Sequence, residues 1–266
     1  YAGLPGIGGF DLGMKFREHA DRLGAEFAED SIIGIQQAGE DGEGLLRAAE
    51  AGDGGPVLWK LNGENGTYLA RTVIIATGAR HRKLEVPGEE RLMGMGVSYC
   101  ATCDGAFYQG KTVAVIGGGD TALEDALYLS RMAKTVYLVH RRDTFRANAA
   151  LQEAVQKTEN IVLVTDAVPT EITGEKRVET LKLLRGGSPE EFSLDGVFVA
   201  IGSVPNTSLL EGVAELDSSG YVQAGEDGRT SVEGLFAAGD VRTKALRQVI
   251  TAAADGANCV ASAEKY

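Results

Sequence analysis

Two cysteines set two residues apart, with an acid directly behind them, carry the most reactive chemistry in this chain: Cys100-Ala101-Thr102-Cys103-Asp104. Such a pair suits either a dithiol/disulfide couple or half of a zinc site. Zinc needs two further ligands, and the remaining Cys259 and three histidines sit at no metal-ligand spacing. A redox couple needs a low-pKa nucleophile, a resolving partner and a group that manages the proton of the leaving thiolate. Asp104 has the chemistry for that last task, and an acidic turn residue before Gly105 would look the same in sequence. Gly117-Gly118-Gly119-Asp120-Thr121-Ala122 fits G-x-G-x-x-A. It follows the hydrophobic run Val113 to Ile116 and precedes a helical pattern with Ala122, Leu123, Ala126, Leu127 and Met132 facing inward. Glycines there permit a tight turn and bring backbone N–H groups and a helix N-terminus up to a pyrophosphate. About 20 residues on, such a motif carries an acid for NAD or FAD and a basic residue for a 2′-phosphate. Here stand His140, Arg141 and Arg142, with Arg146 beyond. Arginine's planar fork matches phosphate, which favours NADPH over NADH, against the plainer reading of a solvated basic turn.

Weaker signals come from Ala76-Thr77-Gly78-Ala79 and Ala238-Gly239-Asp240, small-residue turns after hydrophobic strands more than 150 positions apart. An aspartate closing such a strand could bind a ribityl or ribose hydroxyl, or simply act as a helix cap.

The elements that must hold these residues follow from periodicity. Phe16, Ala20, Leu23 and Phe27 predict a helix over Phe10 to Phe27. Ser31 to Gln36, Val57 to Leu61 and Gly66 to Ala76 read as strands, and Gly39 to Pro56 as a loop with a helical turn around Leu45 to Ala49. From His81 onward, strands at Thr112 to Ile116, Thr135 to Val139 and Ile161 to Thr165 alternate with helices at Thr121 to Ala133 and Ala147 to Lys157. That rhythm predicts a parallel, doubly wound sheet. Glu171 to Leu184, Glu191 to Leu194 and Gly196 to Ile201 read as a β-meander. Gly234 to Gly239 is a strand running into glycine. The closing helix starts near Lys244, with Leu246, Val249, Ile250, Ala253, Ala257 and Val260 expected to fill its buried face.

Composition sets the bounds. The 266 residues carry 26 Lys+Arg against 38 Asp+Glu, a net charge of −12, which argues against nucleic acid and against an anionic membrane surface. The longest uncharged run, Gly196 to Leu210, holds Asn, Pro and Ser and is too short and polar to span a bilayer. Thirty-six glycines are close to twice the usual share of roughly 7% and, without a G-X-Y repeat, point to tight turns and close approaches to a ligand. No signal-peptide pattern opens the sequence, and Tyr1 in place of Met reads as the continuation of something longer. Three cysteines do not make a secreted disulfide framework, so a reducing cytoplasmic setting is expected.

Taken in order, Cys100-Ala-Thr-Cys-Asp-Gly, Gly117-Gly-Gly-Asp-Thr-Ala-Leu-Glu-Asp-Ala, His140-Arg-Arg-Asp-Thr-Phe-Arg-Ala and Gly234-Leu-Phe-Ala-Ala-Gly-Asp-Val with Arg247-Gln-Val resemble the low-molecular-weight, bacterial-type thioredoxin reductases. The resemblance implies an α/β fold of the flavoprotein disulfide reductase type, with two Rossmann-like three-layer domains. A discontinuous FAD domain (1–80 and 204–266) would receive an inserted NADPH domain (81–203) carrying the redox pair. It implies Cys103 as the thiol nearest the flavin, Cys100 as the thiol that attacks the partner's disulfide, and Asp104 as acid/base. Gly117, Gly119, Asp120 and Thr121 would hold the NADPH pyrophosphate, with His140, Arg141, Arg142 and Arg146 around the 2′-phosphate. Thr77, Gly78, Gly239, Asp240, Arg247, Gln248 and Val249 would contact FAD. The family has Ala where Val249 stands, a position expected to contribute backbone.

The family also opens with an FAD-fingerprint unit, and this sequence joins the pattern just before Pro5-Gly6. A segment on the order of 40 residues, about one βαβ unit, is therefore expected to be lacking here. The implied activity is NADPH-to-FAD hydride transfer, reduction of the Cys100–Cys103 disulfide and exchange with thioredoxin, in a homodimer. Dithiol and nicotinamide site share one domain yet must reach one flavin, so a rotation about Arg80 to Arg82 and Gly202 to Pro205 is implied. Competing readings are a peroxidase-linked disulfide reductase, an NADPH-binding remnant without FAD, and a zinc-stabilised binding module.

Overall fold

The computed structural model describes residues 1–37 and 59–266, and the loop expected over Gly39 to Pro56 lies outside them. The chain divides into two compact units, Tyr1–Arg80 with Val204–Tyr266, and His81–Ser203.

The first unit opens with α1 (Gly9–Arg22). An antiparallel sheet of β1 (Ile32–Gln37), β2 (Trp59–Gly63) and β3 (Thr67–Ala70) follows. Next come β4 (Val73–Ile75) and the crossing strand β5 (Ala79–His81). The expected strand Gly66 to Ala76 is thus two strands. β3 pairs antiparallel with β2, and the chain then turns at Arg71 and Thr72 so that β4 can pair parallel with a strand from the C-terminal part. Helix α1 is shorter than expected because Gly24, at φ 82°, takes the left-handed conformation and ends it. Its apolar residues do not form a buried face: Leu12 is buried, while Phe16, Leu23 and Phe27 are exposed. Phe27 lies instead under the Arg17 guanidinium, 3.5 Å from its ring centre.

The second unit is built on a five-stranded sheet. It contains β6 (Val97–Ser98), the short helix α2 (Ala101–Asp104), β7 (Thr112–Ile116), α3 (Asp120–Ser130), β8 (Thr135–Val139), α4 (Ala149–Gln156) and β9 (Ile161–Val164). The strands β10 (Ala167–Thr173), β11 (Thr180–Arg185) and β12 (Ser188–Ser193) form a separate antiparallel meander, and β13 (Gly196–Val199) follows. Strand order in the parallel sheet is β6-β13-β7-β8-β9. The placement of Gly196 to Ile201 in the meander is therefore corrected: β13 lies between β6 and β7 and pairs parallel with both. Its Val197, Phe198 and Val199 are buried on both faces, as a central parallel strand requires and a half-solvated meander strand does not.

Period-two alternation sorts the parallel strands into two cores. Val113, Val115, Val136, Leu138 and Phe198 pack against Ala122, Leu123, Ala126 and Leu129 of α3. Their sequence neighbours Ala114, Ile116, Val139, Val197 and Val199 pack against Ile172, Leu181 and Leu183 of the meander. Helices, parallel sheet and meander form three layers.

The chain leaves this unit through β14 (Ser203–Pro205), which pairs with β5. Back in the first unit, β15 (Leu235–Ala237) lies parallel to β4, and α5 (Val249–Glu264) ends the chain. Trp59, Val73, Ile75, Val222, Leu235 and Val241 belong to its core. The expected buried face of the last helix is reversed. Leu246, Val249, Ile250 and Val260 are each more than half exposed, and the buried residues of α5 are Asp255 and Cys259. Asp255 faces the buried side chains of Arg242 and Lys244.

Candidate active site

Cys100 and Cys103 are joined as a disulfide with their Cα atoms 5.3 Å apart. Cys100 caps α2, and its sulfur accepts a hydrogen bond from the Cys103 backbone N at 3.2 Å. The first cysteine is half-buried and the second exposed. Asp104 ends the same short helix, and its Oδ2 accepts a 2.6 Å hydrogen bond from Ser98 Oγ. Ser98 is a site residue that sequence reading missed. A lone serine in a hydrophobic run carries no motif, and only the fold turns its hydroxyl toward Asp104.

Gly117 follows β7 as Cys100 follows β6, and both strands run parallel to β13. Redox pair and glycine turn therefore emerge at the carboxyl edge of one sheet, where open α/β sheets place ligands. Each glycine of the turn has its own reason. A Cβ on Gly117 would run into the Ala200 carbonyl and Ala122, and one on Gly118 into the His140 ring. Gly119 caps α3 in an extended conformation. Asp120, first in α3, accepts from the Asn148 backbone N at 2.8 Å and from its side chain at 3.2 Å. Asn148 in turn caps α4 through Leu151 N. Asp120 thus pins the arginine loop to the glycine turn, and Arg146 N adds a 2.7 Å bond to Gly118 O. Thr121 is exposed at the start of α3.

His140 is buried, unlike the arginines around it. It is 6% exposed, stacked on Phe145 with ring centres 5.2 Å apart, and its Nε2 lies 3.1 Å from Thr144 O. Burial lowers its pKa, and the charges of Arg146, Arg141 and Arg142 push the same way against that hydrogen bond. The neutral ring supports the loop from below. Arg141, Arg142 and Arg146 are exposed above it, and no ion pair engages them among the described residues. Three guanidinium groups within six residues concentrate positive charge on this loop in a chain of net charge −12.

The first unit holds the other expected positions. Thr77 Oγ1 donates to Asn206 O at 2.7 Å, while Asn206 donates through Nδ2 to Thr77 O and through its backbone N to Gly78 O. Gly78 sits at φ 68° and Gly239 at φ 75°, conformations that favour glycine. Gly239 N donates to Asp255 Oδ2 at 2.8 Å. The same carboxylate accepts from Arg242 (2.9 and 2.6 Å) and Lys244 (2.7 Å), all with side chains at most 7% exposed. Burial alone would raise the Asp255 pKa, but these bonds and the Arg242 charge bring it down to about 2. The turn held in this way carries Asp240, whose Oδ1 is buried without a hydrogen-bond partner. Arg247 Nε is likewise buried and unpartnered, with its guanidinium 4.0 Å from the Tyr221 ring centre. Gln248 forms a capping box with Thr251 at the start of α5, where Val249 is exposed. Among the described residues three buried side-chain atoms lack a partner, Trp59 Nε1 in the core and these two, and an acceptor and a donor left unpaired beside one turn fit the hydroxyls of a polyhydroxylated nucleotide such as FAD.

The model for the pyridine nucleotide-disulphide oxidoreductases matches residues 39–256. The chain belongs to this family. Within it, the chain is 41% identical over 262 residues to the thioredoxin reductase of Treponema pallidum, covering 98% of this chain and 80% of that one. It is 41% identical over 264 residues to the bifunctional thioredoxin reductase/thioredoxin of Mycobacterium leprae, covering 98% of this chain and 54% of that one. The crystal structure of thioredoxin reductase from Streptococcus pyogenes superposes with a TM-score of 0.89 at 36% identity, covering 100% of this chain and 82% of that one. The thioredoxin reductase structure from Giardia duodenalis gives 0.87 at 34%. Among the described residues no helix is long and apolar enough to cross a membrane.

Proposed function

We propose that this chain is a thioredoxin reductase that takes electrons from NADPH by way of FAD into the Cys100–Cys103 disulfide and passes them to thioredoxin. The observation that carries this reading is the Cys100–Cys103 disulfide, with Asp104 beside it, at the same sheet edge as the Gly117–Gly119 turn. Family membership and relatives named for this activity support it, and the relative that fuses reductase to thioredoxin supports the partner. The nicotinamide cofactor and flavin, when bound, supply the two-electron hydride chemistry that no side chain offers.

The residues of this chain do the rest. Arg141, Arg142 and Arg146 bind the 2′-phosphate, and the glycine turn with the α3 N-terminus binds the pyrophosphate. Thr77, Gly78, Gly239, Asp240, Arg247, Gln248 and Val249 hold the flavin nucleotide. Once the disulfide is reduced, Cys100 thiolate attacks the partner's disulfide, and its own proton rests on Asp104. The expelled partner thiolate takes that proton. Asp104 then draws the proton from Cys103, whose thiolate attacks Cys100 sulfur, re-forms the disulfide and releases the second partner thiolate, which Asp104 reprotonates. A homodimer and a cytoplasmic setting belong to this reading, and light scattering of the purified protein checks the dimer.

The test is visible absorption before and after anaerobic NADPH, with Cys103→Ser beside the wild type. A flavin band should bleach in both, while only the wild type reduces thioredoxin. A variant that loses bleaching and disulfide reduction together refutes the assignment.

A further inference from the structure

We propose that Ser98 is a positioning residue that holds the Asp104 carboxylate and the Cys100 backbone as one unit, fixing which oxygen of Asp104 carries the proton. The inference rests on the reading of Asp104 as acid/base and deepens it.

Ser98 is 5% exposed, and its Oγ donates to Asp104 Oδ2 at 2.6 Å while accepting from Cys100 N at 3.1 Å. The hydroxyl has one proton. The Cys100 carbonyl, 3.4 Å away, competes poorly with a carboxylate oxygen 0.8 Å nearer. The short bond has the length of a charge-assisted O–H···O⁻ contact. The anchor is also buried: Ser98 ends β6, in register with Phe198 of the buried central strand, whereas Cys103 is exposed on its four-residue helix. With Oδ2 engaged, Oδ1 is the oxygen that takes and returns the proton. The same hydroxyl pins the backbone of Cys100, the nucleophile's own residue. Proton carrier and nucleophile thus keep a fixed separation through both halves of the exchange, and general acid–base catalysis depends on that constancy.

The experiment reads the dithiol half-reaction alone. Protein reduced with dithiothreitol and desalted is mixed anaerobically with oxidised thioredoxin and acid-quenched at timed intervals, and the thiols lost from this chain are counted by labelling after separation from thioredoxin, so the readout does not depend on flavin or NADPH. Ser98→Ala should slow exchange about tenfold, part of the roughly 10²–10⁴ that a positioned acid/base contributes. Ser98→Thr, which keeps the hydroxyl, should restore most of the rate. In an Asp104→Asn background, Ser98→Ala should add nothing. If the alanine variant fails to fold, Ser98→Val, close in shape to the rescuing threonine but without its hydroxyl, carries the same expectations. Wild-type exchange in Ser98→Ala, equal slowing with and without Asp104, or failure of threonine to rescue overturns the proposal. Wild-type exchange in Asp104→Asn instead overturns the acid/base reading beneath it.

Discussion

Replacing Asp255 with Asn tests whether one buried carboxylate holds the Gly239–Val241 turn. Asn keeps the shape and an acceptor for Gly239 N but removes the charge that faces Arg242 and Lys244. Both cations are almost fully buried. Arg242 keeps Ala224 and Thr243 carbonyls and the exposed Glu226 carboxylate at 3.7 Å, and these soften the loss. Stripping one partner from a buried ion pair costs about 3–5 kcal/mol. With a urea slope of about 2 kcal/mol per M, the midpoint should fall by about 1.5–2.5 M at pH 7. Trp59, the single tryptophan, is fully buried in the core of the same unit, so its fluorescence reports this transition.

The pH dependence gives a second, independent reading. The Asp255 pKa is lowered in the folded state, to about 2, so its ionised form contributes stability above the ordinary carboxylate value. That contribution, about 2 kcal/mol from the pKa shift alone, is lost as pH falls from about 4 through 2. The gap between wild type and Asp255→Asn should therefore narrow over that range by about 2 kcal/mol, or about 1 M in midpoint. A midpoint shift below about 0.5 M at pH 7, or a gap that ignores pH, would refute the reasoning.

Two further outcomes follow from the arginine loop. Alanine at Arg141, Arg142 or Arg146 should weaken NADPH binding by about 10–100-fold each, since a charged hydrogen bond contributes about 1.5–3 kcal/mol. NADH affinity should stay unchanged, and fluorescence titration with the two nucleotides separates the cases. Gly118→Ala should destabilise the second unit by about 1–3 kcal/mol through overpacking against His140. It should also weaken NADPH and NADH binding alike, which calorimetric titration of both nucleotides checks.

Much of the second unit is legible in the sequence because its signals are local. The β-branched run Thr112 to Ile116, the glycines after it and the apolar spacing of α3 each specify their own conformation, and they appear where expected. The redox pair, Asp104 and the arginines are likewise announced by residue type and spacing. Local pattern could not say which neighbours a strand would find. Val197 to Val199 reads equally as a meander strand or a central parallel one, and only its place between β6 and β7 decided. The apolar stripe on α5 predicts a buried face, yet the buried residues of the helix are Asp255 and Cys259, and Asp255 pairs with Arg242 and Lys244, partners that no local pattern announces. His140 belongs to a ligand motif by sequence and to the support of Gly118 by packing. The sequence by itself determined which chemistry this protein carries and the repeating strand–helix rhythm that bears it. The tertiary structure decided that Ser98 reaches Asp104 and Asp255 reaches Gly239, because contacts between residues distant in the chain or turned by the fold leave no periodic trace.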